Sequence, residues 1–124
     1  MRTARACLPL PPSVNAMFVE RRRSRNGKSG GRTITEEYRR WREAAGKLLM
    51  VARLPKILGR IDVDIELPAN MRGDIDNRVK PLIDLLVAHG LIDDDRHVWR
   101  ITVERVEMLI EEARVTYSTA ARAA

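Results

Sequence analysis

The sequence of 124 residues has little cysteine, few aromatic side chains and no long apolar run. Its single cysteine, Cys7, excludes an internal disulfide bond and a thiolate-rich zinc site, and favours a reducing, cytoplasmic setting. Aromatic residues make up only 4% of the chain, which predicts an aliphatic core and argues against a surface that holds single strands mainly by base stacking.

No stretch approaches the roughly 20 consecutive apolar residues that a membrane span needs. Prolines at positions 9, 11 and 12 also interrupt the apolar run that a signal peptide would require. We therefore expect a soluble protein without a membrane partner. Its length suits one domain, residues 1–124.

Charge is distributed unevenly along the chain, although the net charge is only +6. Residues 1–60 carry fifteen Lys and Arg against four Asp and Glu, whereas residues 61–124 carry eight against thirteen. A basic half indicates a polyanionic partner, but an acidic half beside it is unfavourable for plain DNA binding. The combination makes sense if carboxylates hold divalent cations against a phosphate backbone. An ordinary solvated surface with an arginine-rich segment explains the same counts about equally well.

Hydrophobic periodicity predicts the order strand, helix, strand, helix, strand, strand. We expect this order to give an α+β domain, with a mixed sheet and two helices on one face. Both tryptophans, Trp41 and Trp99, are expected in the core. The predicted strands are 3–10, 61–67, 99–103 and 113–117, with residues 107–112 undecided. The first predicted helix begins near Thr33 and is ended by Pro55 and Gly59, and the second covers about residues 78–89.

Local signals indicate where the two helices begin and end. Thr33 and Glu36 have the spacing of a capping box at the start of the first helix. Pro81 is tolerated only in a first helical turn, which places the N-cap of the second helix near Asn77. Gly90 supplies the C-terminal stop of that helix.

Residues 20–32 form the most basic part of the chain and contain little that a core could bury. Their composition predicts a mobile loop. We expect its cationic side chains to contact phosphates away from the reacting group. These residues are Arg21, Arg22, Arg23, Arg25, Lys28 and Arg32.

Acidic residues gather before and after the second predicted helix. Asp74 and Asp76 are two positions apart, so in extended backbone both carboxylates face the same side. Lys80, about one turn into the helix, can project near the same end. The acidic run that ends at Asp95 would lie beside this group if the chain reverses through a strand. Such a convergence gives a hard-oxygen site suited to Mg²⁺ or Mn²⁺ and to phosphodiester hydrolysis, with a lysine to stabilise charge or help activate water.

Simpler explanations compete with this metal site. An Asp-x-Asp-Asn segment before a helix is commonly turn and cap chemistry, and an acidic run after a helix is commonly a solvated loop. A calcium-binding hand is poorly supported, because Arg78 occupies the position of the next ligand. Five further residues are expected to be ordinary: Asp62, Asp64 and Glu66 on a solvated strand face, and His89 and His97 without a set of metal-ligand partners.

Three segments, in the correct order, resemble the RusA family of Holliday junction resolvases. Residues 8–15 (LPLPPSVN) resemble the family's N-terminal Pro-Pro-Ser-x-Asn segment, and residues 74–80 (DIDNRVK) are similar to its Asp-x-Asp-Asn-x-x-Lys signature. Residues 84–86, 90–92 and 94–95 resemble the family's helix followed by an Asp-Asp pair. The likeness covers about residues 6–105.

The resemblance implies a homodimeric, Mg²⁺-dependent endonuclease that nicks two strands of like polarity symmetrically in four-way DNA junctions, in DNA recombination and repair. Because Asp93 adds an acid to the run, the assignment of the third metal ligand carries a one-residue ambiguity. By resemblance the metal ligands are Asp74, Asp76 and Asp95, the essential lysine is Lys80, and Asp94 and Asn77 are further candidates at or around the metal.

Two other functions remain open from the sequence. One is a DNA- or junction-binding protein without catalytic activity, in which the acids play no chemical part. The other is a nuclease with the same site that acts on forks or flaps rather than on four-way junctions.

Overall fold

The strands of the protein form a mixed four-stranded sheet in a computed structural model that describes residues 2–20 and 32–121. In chain order these strands are β1 (Thr3–Pro9), β4 (Ile61–Pro68), β5 (Val98–Val106) and β6 (Glu112–Thr119). Their spatial order is β1-β6-β4-β5. β6 runs antiparallel to both of its neighbours, whereas β4 and β5 are parallel, so the prediction of a mixed sheet is confirmed.

The alternation predicted for residues 61–67 is present in β4. Ile61, Val63 and Ile65 are buried, while the acids between them lie on the outer face. These acids form hydrogen bonds that a purely solvated face would not require. Glu66 pairs with Arg114 through two hydrogen bonds of 2.8 and 3.0 Å, and Asp64 accepts a hydrogen bond from Thr102.

Two helices cover the other face of the sheet. The helices are α1 (Glu36–Ala52) and α2 (Val79–Ala88), and each presents an apolar stripe that is buried. The buried side chains of both helices join those of the sheet in one continuous core, so both helices lie on one face, as predicted. Trp41 is in this core, and its Nε1 donates a 2.7 Å hydrogen bond to the carbonyl of Pro9.

The predicted cap of the first helix is wrong by two residues. The N-cap of α1 is Thr35, whose side chain accepts a 3.1 Å hydrogen bond from the Tyr38 amide. Thr33 instead lies in a short strand, β3 (Arg32–Ile34), which pairs with β2 (Phe18–Glu20). This hairpin was not expected, since each of its strands is only three residues long.

The second helix begins one residue later than the sequence suggested. Asn77 is not its N-cap, because a 3₁₀ turn over Ile75–Arg78 precedes α2 and Arg78 takes the cap position without a side-chain hydrogen bond. Pro81 does lie in the first turn, as predicted. The segment left undecided is a turn, with Glu111 at a φ of 56°, between the end of β5 and the start of β6.

The expectation that Trp99 lies in the core is wrong. Its side chain is 59% exposed, because β5 is an edge strand and its pairing with β4 is irregular at this residue. Across residues 2–20 and 32–121, no helix is long and apolar enough to cross a membrane.

Candidate active site

An open cleft of about 540 Å³ lies between α2 and the beginning of β5. Asp76, Lys80 and Asp84 are spaced by four residues, so the 3₁₀ turn and the helix present them along one face. Asp95 and Arg96, which precede β5, line it too. The apolar part of the cleft consists of Val79, Ile83, Val98 and Ile101.

The cleft brings together three of the four residues predicted to carry the chemistry. Asp76, Lys80 and Asp95 line it, although the whole of α2 separates Asp76 from Asp95 in the sequence. Asp74 is exposed and is not among the lining residues. It lies in extended backbone immediately before the 3₁₀ turn that contains Asp76. The prediction that both carboxylates face the same side assumed extended backbone throughout, so it does not apply here.

The acids of the cleft are near one another but are not a preassembled metal cage. Across the described part of the chain, no group of three or more Asp, Glu, His or Cys side chains is arranged to hold a metal ion. The expectation that His89 and His97 are ordinary residues stays a prediction. Asn77, a further candidate near the metal, is in the 3₁₀ turn and does not line the cleft.

Asp84 is a cleft residue to which sequence reasoning assigned no role. Its Oδ2 lies 3.3 Å from Nζ of Lys80, so the carboxylate holds the lysine ammonium over the cleft. Its charge is also close enough to Asp95 to contribute to the raised pKa of that residue. The signal was present in the sequence, because Asp84 follows Lys80 by four positions on a predicted helix.

The three consecutive acids before β5 have different surroundings. Asp93 forms an ion pair with Lys56, with 2.8 Å between Oδ1 and Nζ. Asp94 caps a 3₁₀ turn by accepting a 3.0 Å hydrogen bond from the Arg96 amide, which lowers the pKa of the Asp94 carboxyl. Asp95 alone of the three lines the cleft, and a hydrogen bond with Asp94, together with the charge of that neighbour, raises the pKa of Asp95.

Arg105 fixes the segment that leads into Asp74. One guanidinium nitrogen donates to the carbonyls of Ala69 and Met71 at 3.1 and 2.7 Å, and the other donates to the carbonyl of Gly73 at 2.7 Å. A planar fork of donors is suited to hold several carbonyls at once. Arg105 therefore links β5 to the loop that carries the first acid of the motif, a contact that sequence spacing gave no reason to expect.

Arg78 connects two of the segments on which the resemblance rests. Its guanidinium donates to the carbonyl of Pro11 and, at 3.3 Å, to the carbonyl of Arg72. Burial lowers the pKa of Arg78, which stays charged at neutral pH, and its Nε is buried without a partner in the described structure. Arg78 thus ties the acidic motif to the Pro-Pro-Ser segment.

A cleft that combines carboxylates with a lysine at the beginning of a helix, on a mixed sheet, fits the class of enzymes that act on phosphate esters. A family model described as Endodeoxyribonuclease RusA matches residues 9–117, which is most of the chain. The protein belongs to the RusA endodeoxyribonuclease family and is an endonuclease of the Holliday junction resolvase class. The comparison with curated proteins gives no match.

The family match extends further than the resemblance seen in the sequence. It includes most of β6, whereas the likeness from motifs ended near residue 105. The C-terminal strand is therefore part of the family's domain. Its register against β4 and β1 is regular, with Val115 beside Ile65 on one side and Ala6 on the other.

The cationic residues predicted to contact DNA lie largely outside the described residues. This holds for Arg21, Arg22, Arg23, Arg25 and Lys28. Arg32 begins β3, and its side chain lies outside the described part of the structure. Their role in DNA binding remains a prediction.

Proposed function

We propose that this endonuclease resolves four-way DNA junctions by paired symmetric nicks, using Mg²⁺ or Mn²⁺ in the cleft between α2 and β5. The observation that carries the proposal is the meeting of Asp76, Lys80 and Asp95 in one cleft. Family membership supports a branched DNA substrate. Metal dependence is our inference from the chemistry of the cleft, whereas symmetric cutting is what the family resemblance implies.

The donor set of the cleft fits a hard divalent cation. Carboxylate oxygens are the ligands that Mg²⁺ prefers, and this ion commonly keeps several waters while it binds one or two carboxylates and a substrate phosphate. A complete cage of three acids is therefore not required before DNA arrives. We assign Asp76 and Asp95 as the principal ligands and Asp74, two positions before Asp76, as a third ligand when the substrate is bound.

Other side chains of the protein would stabilise charge on the phosphate and hold the acidic motif in place. The ammonium of Lys80, held 3.3 Å from the Asp84 carboxylate, supplies positive charge for a phosphate oxygen that becomes more negative during hydrolysis. A bound divalent cation supplies the complementary chemistry, since it neutralises phosphate charge and makes water more acidic. Arg105 and Arg78 keep the acidic motif in place.

The rest of the proposal concerns binding and assembly. The basic residues of segment 20–32 would contact phosphates away from the cut, so affinity for the junction should fall steeply as salt rises. A homodimer would supply two clefts, one for each strand that is cut. The single cysteine is in keeping with action in the cytoplasm.

The decisive experiment is cleavage of a four-way junction by the wild-type protein and by Asp76→Asn, with Mg²⁺ and with EDTA. The wild type should cut only with the metal, while Asp76→Asn should bind the junction and fail to cut it. Asp93→Asn is the matched control, because Asp93 pairs with Lys56 outside the cleft and should be dispensable. Cleavage by Asp76→Asn at the wild-type rate would refute the proposed site.

The same assay separates the two rival functions. A binding protein without catalytic activity would cut no substrate under any condition. A nuclease directed at forks or flaps would cut those substrates faster than matched four-way junctions, with linear duplex as the common reference.

A further inference from the structure

Trp99 is a large aromatic side chain that the fold directs outward. β4 and β5 pair Ile61 with Val98 and then Asp62 with Arg100, so Trp99 is the extra residue of a β-bulge. In a regular strand, adjacent side chains point to opposite faces. Here Trp99 and Arg100 line the same cavity, because the bulge turns one of them around.

The cavity beside Trp99 is separate from the catalytic cleft. It has a volume of about 520 Å³, within the range of small-ligand sites, and its lining residues are Asp62, Trp99, Arg100, Ala120 and Ala121. The Arg60 guanidinium lies 4.1 Å from the centre of the indole ring. Even with this cation–π contact, the side chain of Trp99 remains 59% exposed, so ring surface is left for a further stacking partner.

The two cavities flank the same point of the chain. Val98 lines the catalytic cleft and Trp99, the next residue, lines the second cavity. Val98 faces the helix side of the sheet and Arg100 the outer side, and β5 is the edge strand, so DNA that passes round this edge from the cleft brings a neighbouring base to Trp99.

We propose that Trp99, with Arg60 and Arg100, forms a binding site for one unpaired nucleobase of the branched DNA. An indole face stacks on any base, and a guanidinium beside it is suited to the adjoining phosphate or to the base edge. Within the described residues, Arg100 forms no ion pair with another side chain. One exposed aromatic is enough for a single base, although the composition argues against a long stacking surface.

Such a site would discriminate between branched and linear DNA. Bases inside a duplex are stacked on their neighbours and cannot reach the indole ring without an unstacking cost of a few kcal/mol. The stack is already interrupted at a branch point, so the cost there is lower. This inference rests on the proposed function, since it requires branched DNA in the adjacent cleft.

The test uses 2-aminopurine placed at the branch point of a four-way junction, with all proteins carrying Asp76→Asn so that DNA binds uncut. Stacking on Trp99 should quench the fluorescence of the base. Trp99→Leu should abolish this quenching and weaken junction binding about 5- to 100-fold, whereas Trp99→Phe should retain most of both. Affinity for linear duplex should be unchanged, and Val51→Ala, which removes an exposed apolar group on α1, should have no effect.

Three results would overturn the inference. The first is a Trp99→Leu variant with unchanged quenching and affinity, and the second is equal loss of affinity for junction and duplex. The third is a change in oligomeric state of Trp99→Leu by sedimentation, which would make Trp99 a subunit-interface residue. If Asp76→Asn alone abolishes cleavage while Trp99→Leu has no effect, this inference fails and the proposed function stands.

Discussion

Replacement of Arg105 by methionine tests whether the acidic motif is held from β5. The change removes three hydrogen bonds, of 2.7 to 3.1 Å, to the carbonyls of Ala69, Met71 and Gly73. A hydrogen bond contributes about 0.5–1.5 kcal/mol net, and water can replace part of these bonds because Arg105 is exposed. We expect the free energy of unfolding to fall by about 2 kcal/mol, measured by urea denaturation.

The same variant should lose catalysis more than binding. The released loop leads directly into Asp74, and a displacement of about 1 Å in a reacting constellation can cost roughly 100-fold in rate. We expect the single-turnover cleavage rate to fall about 10- to 100-fold, while the junction dissociation constant changes less than about threefold.

Two further variants separate geometry from charge. Arg105→Lys keeps the positive charge but cannot reach three carbonyls, so it should remain almost as impaired as Arg105→Met. Lys47→Met removes an exposed cation from α1 and should behave like the wild type. Full recovery by Arg105→Lys, or a main effect on junction affinity, would refute the role of Arg105 in holding the loop and indicate a phosphate contact instead.

Three other substitutions probe the site and the fold. Asp84→Asn should lower the cleavage rate about 10-fold without changing junction affinity, because Lys80 loses the carboxylate that holds it; an unchanged rate would contradict this role. Glu66→Gln should cost about 0.5–1 kcal/mol of stability at pH 7. The hydrogen bond from Arg114 lowers the pKa of Glu66, so this difference is present above the unfolded pKa of about 4.3 and should vanish as pH falls through the folded pKa. Thr35→Ala should lower the free energy of unfolding by about 1 kcal/mol and so lower the midpoint of thermal unfolding. An unchanged midpoint would show that the cap is unimportant.

Sequence patterns predicted the features that depend on side-chain alternation and on where proline is tolerated, but not the capping residues of the helices. The alternation through β4 and the position of Pro81 in the first turn of α2 required only neighbouring residues. Thr33 has the capping-box spacing to Glu36, whereas Thr35 has Tyr38 at that distance; Thr35 is nevertheless the cap, because Thr33 pairs with Val19 in the β2–β3 sheet. Trp99 was misplaced because a bulge is a property of two paired strands rather than of one sequence.

The site was predictable to the extent that helical spacing determines it. Asp76 and Lys80 are four positions apart, and Asp84 follows at the same interval, although only the structure shows its ion pair. Asp95 lines the same cleft because β5 begins beside α2, and the spacing of residues in the sequence does not specify this tertiary contact. The support from Arg105 joins positions more than thirty residues apart, and no local pattern indicates it.

The measurement that tests the central claim most directly is the cleavage rate of a four-way junction by Asp95→Asn and Asp94→Asn across a Mg²⁺ titration. Asp95 lines the cleft, so Asp95→Asn should lose about 100-fold or more in rate. Asp94 caps a turn, a role that asparagine fills equally well, so Asp94→Asn should cut at nearly the wild-type rate. Wild-type cleavage by Asp95→Asn would contradict the account, because it would show that acids on opposite walls of the cleft do not act together.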